Sequence, residues 1–367
     1  MKRFTKALLI LYPDRDVEEE AVSLAHAAGY EPVGMLTQRY LSRSRYGVGD
    51  GKAEEAAQLV REKGIETIIF DSRLNASQTY NLAKLCKVEV KDREKLILEI
   101  FAMRAETAEA KVQVELAELS YELPRARDKV RRAKAGEQPG FFGLGKYEVD
   151  VYVRMMKRRS ATLRRKVEDL RGRREVFRRQ RQREGFASVV ITGYTGAGKT
   201  TLFNRLTGET KEVDAGAFTT LSPTTRRVAI SNQRVLVSDT VGFISRLPPY
   251  LIEAFKSTLE EVSYATLVLL LVDASQAPRK LVTSYESCVE TLAELGVPET
   301  KILTAMNKMD LLGAEELVEK ATLLGAEHPV FISAETGGGM EGLRKAIAER
   351  LQSDAARATQ EAARYPV

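Results

Sequence analysis

Residues 187–200 read Ala187-Ser-Val-Val-Ile-Thr-Gly193-Tyr-Thr-Gly-Ala-Gly198-Lys199-Thr200, and Thr-Leu-Phe-Asn-Arg-Leu-Thr-Gly follows from Thr201. The first six residues have the composition of a buried strand. The residues from Thr201 onward have the spacing of an amphipathic helix. Between them lies G-x-x-x-x-G-K-T, the phosphate loop, in the strand–loop–helix context it requires. Glycines let backbone N–H groups converge on phosphate oxygens, and the positive end of the helix adds to the attraction. Gly193, Tyr194, Thr195, Gly196, Ala197, Gly198, Lys199, Thr200 and Thr201 are therefore candidate nucleotide-binding residues. Lys199 would reach the β and γ phosphates, and the Thr200 hydroxyl would hold Mg²⁺.

The base is read farther along the chain. Lys301-Ile-Leu-Thr-Ala-Met-Asn307-Lys308-Met-Asp310 puts an N-K-x-D element at the end of an apolar run, resembling the guanine reader of GTPases. Asp310 would accept from the guanine ring N–H and amino group, a pattern adenine lacks. Asn307 would brace the loop, and the Lys308 stem would cover the ring. In Val330-Phe-Ile-Ser333-Ala334-Glu, the Ser333 and Ala334 backbone resembles the clamp on the guanine oxygen. Asp310 speaks against an ATPase or kinase.

Between these elements, Asp239 ends an apolar strand in Val235-Leu-Val-Ser-Asp-Thr-Val-Gly-Phe and would bind Mg²⁺ through water. Gly242 would turn its N–H onto the γ-phosphate. Upstream, Ala217-Phe-Thr-Thr-Leu-Ser-Pro-Thr-Thr offers a threonine for metal and γ-phosphate; Thr220 is the choice, with Thr219 and Thr224 as competitors. Lys199, Thr220 and Gly242 form the catalytic set; Thr200, Thr220 and Asp239 form the metal set. Both segments would order around GTP and relax after hydrolysis. Phe243 stands where many GTPases carry a glutamine that orients water. A phenyl ring cannot do that, so slow intrinsic hydrolysis is expected, with the missing group supplied by a partner or another switch residue.

Residues 1–100 alternate short apolar runs with amphipathic segments and read as a small parallel α/β domain. Helices are expected over Asp16–Ala28, Lys52–Lys63 and Ala76–Leu85. The Gly47–Lys52 turn reads either as a phosphate cradle or, preferably, as an ordinary loop. From Lys95 to Lys134 one helix is expected, with an apolar stripe through Leu96, Ile100, Met103, Ala110, Val114, Ala117 and Tyr121. Its other stripe runs Ala105, Ala108, Val112, Leu116 and Leu119, and Pro124 is expected to bend or break it. A turn-rich tip at 136–145 and a returning basic helix would complete an antiparallel hairpin over 101–184. The nucleotide domain would occupy 185–352, and 353–367 reads as a tail, frayed or disordered.

The chain has 367 residues, 44% hydrophobic and 29% charged, enough for two or three domains of an ordinary globular protein. The net charge of +6 is uneven: Val151–Glu184 holds 14 Lys/Arg against 4 Asp/Glu, leaving −4 for the rest. Too few acidic partners sit at helical spacing to balance these cations, which points to a polyanion such as folded RNA. Few aromatics interleave, so backbone and shape contacts fit better than base stacking. Two cysteines and two histidines exclude a disulfide scaffold and make a His-based metal site or triad implausible. No apolar run suffices for a membrane span, and the N-terminal apolar stretch reads as a buried strand rather than a signal peptide. A cytoplasmic monomer is expected.

Together the chain resembles the HflX family of ribosome-associated GTPases over almost its whole length. The resemblance is carried by Asp50-Gly-Lys-Ala-Glu-Glu-Ala-Ala-Gln-Leu-Val, by Leu74-Asn-Ala-Ser-Gln78-Thr-Tyr-Asn81-Leu and by residues 96–125 with their VQVELAEL core. It is carried further by FTTLSPTTR (218–226) and by DTVGFISRLPPYLIEAFKSTLEEV (239–262). It implies an N-terminal α/β and helical-hairpin unit with a Ras-like G domain, and binding to the large ribosomal subunit and its RNA in translation, ribosome rescue or biogenesis. An assembly or occupancy factor, in which GTP only tunes affinity, is the alternative. A tRNA-modifying GTPase would need a reactive cysteine near the terminus, whereas Cys288 falls within an expected helix.

Overall fold

The computed structural model describes residues 4–39, 44–135, 146–210, 218, 221, 224–231, 233–246 and 248–364. Two compact units divide the chain at Leu170/Arg171.

The first unit is built on four parallel strands: β1 (Thr5–Leu11), β2 (Tyr30–Thr37), β3 (Thr67–Phe70) and β4 (Glu89–Asp92), ordered β2-β1-β3-β4. Between them run α1 (Arg15–Ala27), α2 (Asp50–Lys63) and α3 (Ala76–Cys86). The two central strands, β1 and β3, read as apolar runs because both their faces are covered, and on one face Leu8, Ile10, Ile68 and Phe70 pack against Ala53, Ala56, Val60 and Leu82. Pro32 sits on the edge strand beside a register shift, where a missing donor is tolerated. Local chemistry ends the helices: Asn75 and Gln78 form a capping box, and Gly64 closes α2 at φ +59°.

Of the Gly47–Lys52 segment, Gly47–Gly49 form a packed loop and Asp50–Lys52 are the first turn of α2. Gly47 (φ +82°) lies against Leu74 and Phe70, Val48 is buried, and the Gly49 amide donates to Gln38 Oε1 at 3.2 Å.

The helix expected over Lys95–Lys134 is two helices. Helix α4 (Arg93–Arg104) ends before Thr107, whose hydroxyl accepts from Ala110 N at 3.1 Å and starts α5 (Ala108–Ala135). Met103, in the last turn of α4, and Ala108, the first residue of α5, flank the break and are exposed, although both are expected in the stripes. The break is therefore not at Pro124, which α5 runs through. Contacts flanking the proline hold the helix: Tyr121 Oη donates to Asp92 Oδ1 (2.9 Å), and Arg125 donates to Leu74 O (2.8 Å) and to the buried Asp92 carboxylate.

Helix α6 (Lys146–Arg183) returns antiparallel to α5. Val153 and Met156 pack against Leu119, Leu123 and Ala126, and Arg159 forms a two-point pair with Glu115 at 2.6 and 2.9 Å. The expected tip, 136–145, lies outside the described residues.

The second unit holds six strands: β5 (Ala187–Gly193), β6 (Thr224–Ile230), β7 (Gln233–Asp239), β8 (Leu267–Asp273), β9 (Ile302–Asn307) and β10 (Val330–Phe331). Their order is β10-β9-β8-β5-β7-β6, parallel except for the β6–β7 hairpin. After β5 the chain goes by way of α7 (Lys199–Thr207) to β6 and β7 on one side. It then crosses through α8 (Pro249–Ala254) and α9 (Lys256–Ser263) to β8 on the other. The end of β5 is thus a topological switch point, where open α/β sheets bind ligands. Helices α10 (Pro278–Glu294), α11 (Ala314–Leu324) and α12 (Met340–Arg364) complete the unit. Helix α12 buries Leu343, Ile347 and Leu351 in the sheet core and continues to Arg364, so the expected tail is helical that far.

Candidate functional site

Four strands deliver their carboxyl ends to one edge of the second unit. Gly193 pairs with Leu271, Ile191 with Asp239, and Asp273 with Asn307, which aligns the phosphate loop, Asp239 and the N-K-x-D element. Gly193 needs its glycine: at φ +144°, a Cβ would lie 2.1 Å from Leu271 O. At Gly198 (φ +93°) a Cβ would lie 2.4 Å from Asn307 Nδ2.

Lys199 is buried, with Nζ donating to Tyr194 O at 2.7 Å. Burial pushes its amine down to about 8, against partial support from the Asp239 charge. Thr200 Oγ1 donates to Asp239 Oδ2 at 3.2 Å, and Asp239 is fully buried. A hydroxyl beside a buried carboxylate at a helix N-terminus is the hard oxygen set that suits Mg²⁺ with phosphate. Thr219 and Thr220 lie outside the described residues. Thr224 opens β6 directly across from Asp239.

The loop amides divide into two groups. Thr195 N donates to Phe243 O (2.8 Å) and Ala197 N to Tyr194 O (3.2 Å), so these two serve the fold. Those of Lys199, Thr200 and Thr201 occupy the first turn of α7, where a helix leaves donors for an anion. Phe243 N donates to Gly193 O (3.0 Å), and the Phe243 side chain is buried. A Cβ on Gly242 would come within 2.8 Å of Lys199 Nζ, so this glycine sits directly over the lysine.

At the base end, Asn307 joins two loops: Nδ2 donates to Ala197 O (2.8 Å) and Oδ1 accepts from Ala334 N (2.9 Å). Lys308, at φ +66°, donates to Asp273 Oδ2 (2.7 Å). Asp310 is exposed in a short 3-10 turn. Ser333 and Ala334 stand beside this element but differ from expectation. Ser333 N donates to Gly338 O (2.9 Å) and Ala334 N to Asn307, so both amides hold the loop instead of facing outward.

Two contributors had no signal in the sequence. Arg205 on α7 donates to the carbonyls of Ala334 (Nε, 3.1 Å) and Glu335. The Tyr194 hydroxyl accepts from Ser245 N (2.8 Å), clasping the phosphate loop to the segment after Phe243.

Comparisons with known proteins fit this geometry. Residues 15–102 match the family described as GTP-binding GTPase N-terminal, 104–181 the GTP-binding GTPase Middle Region, and 188–308 the 50S ribosome-binding GTPase. The GTPase HflX of Methanocaldococcus jannaschii is 44% identical over 92% of this chain and 84% of its own. The chain belongs to the HflX family of GTPases. HflX of Escherichia coli is 36% identical over 94% of this chain and 82% of its own. Among solved structures, a GTP-binding protein of Sulfolobus solfataricus in complex with GDP shares 28% identity at a TM-score of 0.52, covering 95% of this chain and 99% of its own. As an HflX-family member this chain is a GTP-binding GTPase.

Proposed function

We propose that this HflX-family GTPase binds the RNA of the large ribosomal subunit through its first unit and its basic helix, and that the nucleotide state governs its release. The observation that carries this reading is the division of α6 into two faces. Val153, Met156 and Leu163 are buried, while Arg154, Lys157, Arg158, Arg164, Arg165 and Lys166 are exposed. Such a face suits phosphate-backbone contact. The match of residues 188–308 to a family described as 50S ribosome-binding supports the choice of partner.

In the nucleotide site, Lys199 and the first-turn amides of α7 would hold the β and γ phosphates. Thr200, Asp239 and Thr220 would hold Mg²⁺, which, when bound, neutralises phosphate charge. Gly242 N–H would meet the γ-phosphate, and Asp310 would choose guanine. Phe243 has no polar group to orient water and its side chain is buried, so the intrinsic rate is slow and the ribosome supplies acceleration. No described helix is long and apolar enough to cross a membrane. The cytoplasm, which holds ribosomes and keeps thiols such as Cys86 and Cys288 reduced, is its place of action.

Sedimenting the protein with separated ribosomal subunits, with a GTP analogue or GDP and at rising salt, tests this reading. Co-sedimentation with the large subunit that needs the GTP analogue and falls steeply with salt is expected. Binding indifferent to nucleotide, or to the large subunit over the small, refutes it.

A further inference from the structure

The Ser333–Gly339 loop ends in three successive glycines and is costly to order. It is nevertheless tied in from two sides. Asn307 takes the Ala334 amide at 2.9 Å, and Arg205, from the helix that starts at the phosphate loop, takes two successive carbonyls. A guanidinium can hold two acceptors in one plane with its fork; an ammonium is a point donor without that geometry.

A trans peptide is planar, so its C=O and the following N–H point in opposite directions. Holding Ala334 O therefore sets where the Glu335 N–H points: away from Arg205. Holding Glu335 O does the same for the next amide, and Thr336 N is found donating to Ser333 Oγ at 3.1 Å. Gly337, at φ +90°, stands close enough that a Cβ there would touch the guanidinium at 3.5 Å. The Ser333 and Ala334 amides are spent inside the fold. The Glu335 amide belongs to an exposed residue, and no hydrogen bond is found for it among the described residues.

We propose that Arg205 is a positioning residue for base selection: by holding the Ala334 and Glu335 carbonyls, it turns the Glu335 N–H outward as the donor that a 6-oxopurine accepts. A 6-aminopurine presents a donor at that position and is turned away. This assignment rests on the guanine reading of Asp310 and on the expected backbone clamp on the guanine oxygen; it moves that clamp's donor to Glu335 and names Arg205 as the residue that aims it.

The test uses the full chain and four probes: GDP, IDP, ADP and inorganic pyrophosphate. IDP keeps the 6-oxo group and lacks the 2-amino group that Asp310 would read. Arg205→Ala should weaken GDP and IDP by the same factor, about tenfold for one lost hydrogen bond. ADP and pyrophosphate should bind it as they bind the wild type, and Arg205→Lys should fall between. A merely structural role would weaken pyrophosphate as well, so equal losses for all four probes overturn the proposal. Unchanged GDP and IDP binding by a folded Arg205→Ala protein, with wild type still preferring GDP to ADP, overturns it alone. A wild type with no preference for GDP over ADP overturns the guanine reading and this assignment together.

Discussion

The hydroxyl of Tyr194 accepts a 2.8 Å hydrogen bond from the amide of Ser245, and the backbone of Phe243 bonds to Gly193 and Thr195 on either side of that tyrosine. These three bonds, with the one from Thr200 Oγ1 to Asp239, stitch the phosphate loop to the Asp239–Ser245 segment. Tyr194→Phe keeps the ring and leaves the Ser245 N–H without its acceptor. A loss of about 1 kcal/mol in urea denaturation is expected; an unchanged midpoint would mean that the clasp contributes nothing.

Phe243→Gln should not restore rapid hydrolysis. Main-chain bonds on both sides fix the backbone here, and the side chain is 3% exposed. The glutamine amide would be buried at a cost of about 2 kcal/mol. Basal phosphate release should rise by less than about tenfold, short of the ~100-fold that a placed proton acceptor provides. A large increase with unchanged stability would show that the position opens onto the γ-phosphate.

Lys199 gives opposite trends in stability and binding above pH 8. Its amine, lowered to about 8 by burial, is neutral in the folded protein where the unfolded chain still carries the proton. The unfolded state then binds more protons, so this group's contribution to stability rises between pH 8 and its ordinary 10.5. Phosphate binding needs the charged amine, so GDP affinity should fall over the same interval, by at most about tenfold per pH unit. Denaturation and GDP titrations at pH 7 to 9.5 check both slopes, and Lys199→Met should abolish both.

Two glycines should fail in different ways. At Gly193 the added Cβ meets backbone, Leu271 O at 2.1 Å, which cannot move without breaking the β5–β8 pairing. Gly193→Ala should cost about 4 kcal/mol or more and be seen as loss of cooperative unfolding. At Gly198 the clash is with the Asn307 amide, a side chain that can rotate away. Gly198→Ala should remain folded and release GDP faster, because Asn307 then loses Ala197 O.

The phosphate loop and the N-K-x-D element were legible because each is a contiguous string whose glycines and charges have one strong use. Asp239 and Asn307 could be placed because each ends an apolar strand, and parallel pairing brings strand ends together. The division of residues 93–135 was misjudged because Pro124 is a loud local signal, whereas the Thr107 cap is a quiet one. Tertiary bonds from Tyr121 and Arg125 to Asp92 override the proline. The roles of Arg205, and of the Tyr194 hydroxyl, depend on partners more than 50 residues away or on peptide orientation. No spacing rule along the chain announces such contacts.

In the proposed function, one edge of the second unit holds a guanine nucleotide chosen by Asp310. Calorimetric titration of the full chain with GDP and with ADP, for wild type and Asp310→Ala, tests it most directly. GDP should bind at least about 100-fold more tightly than ADP, and the substitution should remove this gap by weakening GDP alone. Equal affinities in the wild type, or a preference that survives the loss of the carboxylate, would contradict it.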